Sequence, residues 1–414
     1  IDTTPPGVPV VSSLLWNSDT GRAYNDNITA LNTGFALRGS CDTDARLITL
    51  LLTRPDGTTT DLGAVAFGDA TYWTYAYTGA ALADGSYTVM ARAQDAAGNW
   101  SAYSTALTFV IDTAPAAAPA APTLVASYDT GSSATDGVTR TITAMNVTGA
   151  AVASANVRLY DCGASTTAPT VNGYGEIAGA TLLGTATADG NGNYTIYNVY
   201  LDAGVHNLRV IQDDVAGNWS AASALTRIAV DVQPPAAPTV ALSTSGTTTP
   251  VLSGTFDAAD TEQLTVVVGG VAYSTVAGRA VTVAGTSYTT VAGVTTNGGT
   301  WSLQIPPDRE LATSIAGTSY TVAVQTTDTA GNSSVAASTR QLLLTTAATG
   351  SAGIAIANPG TMTGYAAQIG QIYTFTITGA AVQPNSAITG SDIYAAATEV
   401  AIAAVPAGVV AVGE

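Results

Sequence analysis

The chain consists largely of short alternations of apolar and polar residues, separated by clusters of Gly, Pro, Asp and Asn. Runs such as YTVMARAQ and HNLRVIQ place apolar side chains on one face with a period of two, which is typical of strands that are half-buried in a sheet. The Ala-rich segment 395–405 is the best candidate for a helix. The pattern therefore predicts an all-β chain with one short helix near its end.

One turn motif recurs between these alternating runs. It reads QDAAGNW at 94–100, QDDVAGNW at 212–219 and TDTAGNSS at 327–334. Gly can take the positive φ of a tight turn, and Asp and Asn can bond the local backbone. Each copy therefore predicts a turn that joins two paired strands.

Two further signatures bracket the turns. The links IDTTPP, IDTAP and VDVQPP begin at residues 1, 111 and 230, and Pro both stiffens a link and blocks continuation of a strand. The acidic loops DTGRAYNDNIT and DTGSSATDGVT begin at residues 19 and 129, whereas the third repeat has Thr248 and no acidic loop at the corresponding place. The spacing predicts three modules and a distinct tail, with boundaries at 1–112, 113–231, 232–346 (divergent) and 347–414.

Charge and composition narrow the functional classes. The net charge is −17, Asp outnumbers Glu by 24 to 5, and all 12 basic residues are Arg. Because a phosphate backbone requires a basic stripe, nucleic acid is not an expected partner. No run approaches the roughly 20 apolar residues of a membrane helix. Short Asp carboxylates among Gly and Asn suit hard divalent cations such as calcium, although Asp also serves turns and solubility.

Residue types that often carry catalysis are sparse. Cys41 and Cys162 stand alone in different modules, so they are interpreted as buried small residues and not as a disulfide or a zinc site. His206 is the only histidine and has no Ser or Cys partner that a motif identifies. The chain is therefore not expected to be an enzyme.

The five Trp residues permit two interpretations. Trp16, Trp73 and Trp301 lie in strand-like runs and are expected in the cores. Trp100 and Trp219 follow the turn motif at equivalent positions, which favours packing. A row of exposed aromatic residues would instead indicate sugar binding.

The three signatures together resemble the bacterial immunoglobulin-like repeats of large secreted adhesins and biofilm proteins, over about residues 1–345. The resemblance implies tandem immunoglobulin-like β-sandwiches in an extended rod on the outside of a bacterial cell, stiffened by calcium at the module junctions. The expected function is a structural surface element: an adhesin stalk, surface-layer subunit or filament subunit that contacts copies of itself, other surface proteins or glycans. The alternative is an accessory carbohydrate-binding string of a secreted enzyme.

Sandwich topology suggests which residues would hold calcium. The acidic loop of one module, its exit link and the turn of the next module are expected to converge at one pole. Calcium takes about six to eight oxygen ligands, so the Asp and Asn of these segments are candidates. For the first junction they are Asp19, Asp26, Asp112, Asp214 and Asn218; for the second, Asp129, Asp136, Asp231, Asp328 and Asn332; and at the N-terminal pole, Asp2, Asp95 and Asn99. The alternative is that these side chains only cap their own turns.

The tail resembles a different family. From about residue 355, NPGTMTGYAAQIGQIYTFTITGA and GSDIYAAATEVAIAAVPAGVVAVGE are similar to the first two thirds of an LCCL-type domain, which implies a small β-rich domain. The chain departs from the family's Asp-Asp-Ser and His at Ala395, Ala396, Ala397 and Pro406. Missing closing strands would leave an open sheet edge, which a strand from a neighbouring copy could cover to build a filament. The alternatives are a shortened chain or strands lost by divergence.

Overall fold

A computed structural model describes residues 1–65, 71–241, 245–313, 318–334 and 338–345, together with the backbone of 354–357 and 373–376. The chain forms two compact units. One contains Ile1–Pro238, Phe256–Thr265 and the segment that begins at Gln325. The other contains Thr239–Thr255, Val266–Val324 and the segment that begins at Ser338.

The first sandwich packs a sheet of order β1-β3-β6 against a sheet of order β2-β8-β7-β4-β5. Its strands are β1 (Val10–Leu14), β2 (Ile28–Thr29), β3 (Ala36–Ser40), β4 (Leu47–Thr53), β5 (Thr59–Val65), β6 (Tyr72–Ala76), β7 (Gly85–Gln94) and β8 (Leu107–Ile111). Alternation sets the faces, because β7 buries every second residue from Tyr87 to Ala93. These side chains share one core with Leu37 and Trp73 of the facing sheet.

The second sandwich repeats this topology, with sheets of order β14-β11-β9 and β10-β16-β15-β12-β13. Its strands are β9 (Thr123–Leu124), β10 (Val138–Thr139), β11 (Met145–Ala150), β12 (Asn156–Asp161), β13 (Thr181–Thr187), β14 (Asn193–Val199), β15 (Gly204–Gln212) and β16 (Thr226–Val230). In both sandwiches the chain leaves one sheet after its first strand, passes through the acidic loop, and joins the last strand of the other sheet in parallel. The acidic loop therefore lies beside the exit link.

The third sandwich has sheets of order β17-β24-β23 and β22-β19-β18-β25-β26, and a separate hairpin β20-β21. Its strands are β17 (Val251–Thr255), β18 (Gln263–Val268), β19 (Val271–Ser274), β20 (Ala280–Val283), β21 (Thr286–Thr289), β22 (Val291–Ala292), β23 (Val294–Asn297), β24 (Thr300–Gln304), β25 (Thr318–Thr327) and β26 (Ser338–Leu344), with a 3-10 turn at Pro307–Arg309. Further along, β27 (Ile354–Ala357) pairs in parallel with β28 (Tyr373–Thr376).

The prediction of an all-β chain of tandem immunoglobulin-like sandwiches is confirmed. The helix predicted at 395–405 and most of the LCCL-like segment lie outside the described residues, so both stay predictions. Trp73 and Trp301 are buried as predicted, but the prediction for Trp16 was wrong, since its side chain is 69% exposed. The reason is that β1 ends at Leu14 and the chain then turns, with the Ser18 amide donating to the Leu15 carbonyl.

Candidate functional sites at the module junctions

The turn motif is closed by its own side chains. In the first copy, the Asp95 carboxylate accepts hydrogen bonds from the amides of Ala97 (2.9 Å) and Asn99 (2.8 Å) and from the Asn99 side chain (2.8 Å). These donors lower the pKa of Asp95, the Asn99 side chain contributing most. The other two copies have the same Asp–Asn closure. Capping of the local turn is therefore one role of these residues.

The same Asn also joins each turn to the incoming link. Asn99 Nδ2 donates to the Asp2 carbonyl at 3.1 Å. Equivalent bonds run from Asn218 to the Asp112 carbonyl at 2.9 Å and from Asn332 to the Asp231 carbonyl at 2.8 Å. Link and turn thus meet at one pole in all three copies.

The acidic loop of one sandwich docks on the turn that follows it. Thr20 Oγ1 donates to the Ala216 carbonyl at 2.6 Å, and the register-equivalent Thr130 Oγ1 donates to the Ala330 carbonyl at 2.6 Å. Both Ala216 and Ala330 are fully buried, whereas the equivalent Ala97 of the first turn is exposed. Loop and turn therefore form a repeated contact between successive repeats.

Main chain packs directly on main chain at both contacts. A Cβ added to Gly217 would lie 2.9 Å from the Gly21 Cα, and one added to Gly331 would lie 3.0 Å from the Gly131 Cα. Such distances leave no room for a side chain on either turn. The Gly of the Asp-Thr-Gly loop and the Gly of the turn are thus both required by close approach.

Each acidic loop also holds a buried carboxylate beside a second one. Asp19 is 1% exposed; its Oδ2 accepts from the Asn27 amide at 3.1 Å, while its buried Oδ1 has no hydrogen-bond partner among the described residues. Burial raises the pKa of Asp19, and the nearby Asp26 carboxylate raises it further, against the opposing Asn27 amide.

The second acidic loop repeats the arrangement. Asp129 Oδ2 accepts from the Gly137 amide at 3.0 Å, and in the described part of the chain its buried Oδ1 likewise lacks a partner. Burial raises the pKa of Asp129 and the Asp136 carboxylate adds to the shift. Both loops therefore place two carboxyl groups together, one of them incompletely satisfied.

Three-carboxylate groups are a separate feature. Within the described ranges, Asp2, Asp44 and Asp95 bring carboxylate oxygens within 4.8 Å of one another, and so do Asp231, Asp260 and Asp328. Each group joins a link Asp, a turn Asp and a third residue that precedes β4 or β18. Burial raises the pKa of Asp260, and the charges of Asp328 and Asp231 raise it further. Like charges at this spacing favour a cation among them.

The third carboxylate was not predicted from the sequence. Asp44 and Asp260 occupy equivalent places, because two residues later Arg46 and Glu262 donate their amides to the strand that precedes the turn, at 2.7 and 2.9 Å. An Asp shortly before the strand paired with that turn was the available signal. It is weak, since the segments CDTDAR and DAADTE share little else.

The first junction, between the first and second sandwiches, differs in charge from these three-carboxylate groups. The segment before β12 reads Ala-Ser-Ala at 153–155 and supplies no carboxylate. Instead, Arg22 from the first acidic loop forms an ion pair with Asp213, with Nε and Oδ1 3.0 Å apart. Asp112 and Asp214 meet here through Asn218.

The sequence-predicted ligands therefore fall into separate places. The structure brings Asp231 and Asp328 together, and likewise Asp2 and Asp95, each pair with an unpredicted third Asp. It gathers the acidic-loop residues into pairs of their own, Asp19 with Asp26 and Asp129 with Asp136. None of these four belongs to a three-carboxylate group in the described residues.

Residues 4–113, which contain the first sandwich, match the family described as "Bacterial Ig-like domain". The match confirms the predicted resemblance to bacterial immunoglobulin-like repeats. No curated protein matches the chain. In the described part of the structure, no helix is long and apolar enough to span a membrane.

Several solved structures are similar at low identity. A tetra-tandem repeat from the extending region of a large adhesion protein is 19% identical, covers 81% of this chain and 74% of that chain, and has a TM-score of 0.23. A structure of a 1.5-MDa bacterial ice-binding adhesin is 18% identical, covers 83% of this chain and 100% of that chain, and has a TM-score of 0.33. The BSP domain of a biofilm associated protein is 10% identical, covers 84% of this chain and 68% of that chain, and has a TM-score of 0.18. These values are low, so they assign no function to this chain.

Proposed function

We propose that the chain is a structural element of a bacterial surface protein, outside the cell, whose repeats are held together by docked loops and by calcium at acidic poles. The observation that carries the proposal is the group formed by Asp231, Asp260 and Asp328, with oxygens within 4.8 Å of one another. A link residue and two residues of the following repeat meet there. A cation bound to all three would tie the link to that repeat.

Calcium suits the group better than magnesium does. Asp and Asn oxygens, backbone carbonyls and water can supply the irregular shell of about six to eight ligands that calcium accepts. Magnesium demands near-octahedral geometry and gives up its water reluctantly. The equivalent group of Asp2, Asp44 and Asp95 offers the same donors at the pole of the first sandwich.

A stalk, surface-layer or filament role follows from the same features and is part of the proposal. The match of residues 4–113 to the Bacterial Ig-like domain family supports this proposal, because the sequence motifs resemble those of the immunoglobulin-like repeats of secreted adhesins and biofilm proteins. Calcium sites formed by the acidic loops, as the sequence predicts, and strand addition at the tail stay predictions.

The alternative of sugar binding is less well supported. Trp16 and Tyr24 are exposed, at 69% and 70%. Their register equivalents, 110 residues on, are Ala126 and Ala134. An aromatic platform is thus not repeated at these positions of the second module, as a string of sugar-binding modules would require.

The test is thermal unfolding of the full chain with calcium, with magnesium and with a chelator. Ligand that binds the folded state alone stabilises it by about 2.7 kcal/mol at 100 times its Kd. We expect calcium to raise the Tm and magnesium to raise it less. Identical melting curves in calcium and chelator would refute the proposal.

A further inference from the structure

Arg22 reaches from the first acidic loop onto the second sandwich. Its Nε lies 3.0 Å from Asp213 Oδ1, its Nη2 donates to the Asp213 carbonyl at 2.6 Å, and its Nη1 donates to the Ala153 carbonyl at 3.2 Å. The side chains of Arg22 and Asp213 are only 15% and 7% exposed. A planar guanidinium matched to several acceptors is the geometry that holds arginine in one place.

Asp213 is also fixed from its own sandwich. Its Oδ1 accepts from the Asn156 amide at 2.8 Å, and its Oδ2 accepts from Asn156 Nδ2 at 2.7 Å. Both carboxylate oxygens therefore accept a hydrogen bond from Asn156, and Arg22 adds the opposite charge at Oδ1. Removing the guanidinium would leave a buried charge without its counter-charge, which is the costly way to break such a pair.

The second junction has a different set of residues at the same places. By the register of the repeats, Ser132 stands where Arg22 stands in the first loop. Thr327 stands where Asp213 stands, because each forms the bridge that precedes its turn. Asp260 supplies the carboxylate that residues 153–155 do not.

The second junction does contain an arginine, but on a different acceptor. Arg140 is exposed, and its Nη1 donates to the Gly331 carbonyl. That contact neutralises no carboxylate. The group of Asp231, Asp260 and Asp328 therefore keeps three like charges, whereas the first junction contains its own positive charge.

We propose that Arg22 is the built-in cation of the first junction, so that docking there is independent of divalent cations while docking at the second junction requires one. The contrast rests on the proposed calcium function; the role of Arg22 at the first junction does not. The two junctions then respond to different conditions: the second depends on the supply of calcium, and the first, whose ion pair is largely buried, responds little to a chelator or to salt.

Amide hydrogen exchange of the full chain can report on each junction separately. Peptides covering 213–219 follow the first docked turn, and peptides covering 327–333 follow the second. In wild type, chelation should raise exchange at 327–333 at least tenfold and leave 213–219 unchanged.

Two variants then test Arg22 itself. Arg22→Gln should raise exchange at 213–219 at least tenfold, equally in calcium and in chelator, and leave 327–333 as in wild type. Arg22→Lys preserves the charge without the guanidinium fork, so it should recover part of the protection.

The outcomes distinguish the proposed role of Arg22 from the proposed calcium function. If chelation exposes 213–219 in wild type as much as 327–333, or if Arg22→Gln leaves 213–219 protected in chelator, the inference is overturned. If chelation changes neither turn but Arg22→Gln exposes 213–219, the Arg22 role is supported and the calcium function fails. Core strand peptides such as 87–93 report whether a variant is still folded.

Discussion

The two junctions have nearly the same shape and different charges. At both, a Thr hydroxyl donates to an Ala carbonyl at 2.6 Å and one Gly packs on another. At the first, a guanidinium meets Asp213, and at the second three carboxylates meet. The docking contacts of main chain and hydroxyl groups are therefore shared, whereas the charged groups beside them differ between the two junctions.

The largest expected effect tests what the junctions share. Gly217→Ala and Gly331→Ala should each destabilise the chain and expose their turn, because the new Cβ would meet a backbone atom at 2.9 or 3.0 Å. Gly98→Ala is the matched control, since its φ of +93° is close to those of Gly217 (+92°) and Gly331 (+90°). In the control the new Cβ meets only a side-chain atom at 3.8 Å.

The control isolates backbone strain from lost docking. A left-handed Ala costs about 1–2 kcal/mol in all three variants. The two junction variants should lose clearly more than this in denaturant unfolding. Equal losses at the three sites would mean that the close Gly contacts contribute nothing to stability.

The next prediction concerns what differs between the junctions. Asp260→Ser should abolish most of the calcium-induced rise in Tm, because one of three carboxylate ligands is lost. In chelator the same variant should be slightly more stable than wild type, since repulsion by Asp231 and Asp328 is relieved. Asp257→Ser is the control, as this neighbouring acid lies outside the three-carboxylate group. A calcium response that survives Asp260→Ser would place the cation elsewhere.

The smallest effect is expected in the acidic loops, where the junctions agree again. Asp19→Asn and Asp129→Asn should each stabilise the chelated chain by about 1 kcal/mol, because an amide can donate to the neighbouring Asp where a carboxylate oxygen has no partner. If either variant also loses the calcium-induced rise in Tm, the acidic loops bind the cation, as the sequence predicts. Destabilisation in chelator would contradict the prediction.

The pH dependence of that gain has a definite sign. Burial raises the folded-state pKa of Asp19 and Asp129 above their ordinary value. A raised carboxyl pKa means that the wild type gains stability as the pH falls through the folded value, where the group takes up its proton. The advantage of the Asn variants should therefore narrow in acid, as measured by Tm from neutral pH downward.

Much of the fold could be predicted from the sequence because its causes are local. Alternation in runs such as 87–94 specifies a strand and its buried face, and Asp-x-Ala-Gly-Asn specifies a turn by its own hydrogen bonds. The meeting of link and turn also followed, since sandwich topology brings them to one pole. Trp16 was misassigned because β1 ends two residues earlier, at Leu14. Trp16 lies in the turn that follows, where the alternation of apolar and polar residues no longer determines which side chains are buried.

The charges of the junctions could not be predicted in the same way. Asp44 and Asp260 lie in segments of unlike sequence, and their approach to the turn depends on pairing between residues far apart in the chain, Arg46 with Gln94 and Glu262 with Thr327. Arg22 meets Asp213 at a separation of 191 residues, which only the docking of two sandwiches creates. The sequence did show two Asp residues in each acidic loop. That these two carboxyl groups lie beside each other follows from the path of the loop backbone, which the sequence does not reveal.

The glycine contacts between loop and turn also bear on how such chains evolve. A contact made from main-chain atoms encodes no partner identity, so it cannot drift through compensating changes on two surfaces. Any repeat that retains an Asp-Thr-Gly loop can precede any other that retains the turn. Duplication, deletion or reshuffling of repeats would leave the joint intact, and only accessory pairs such as Arg22 with Asp213 would have to be inherited together.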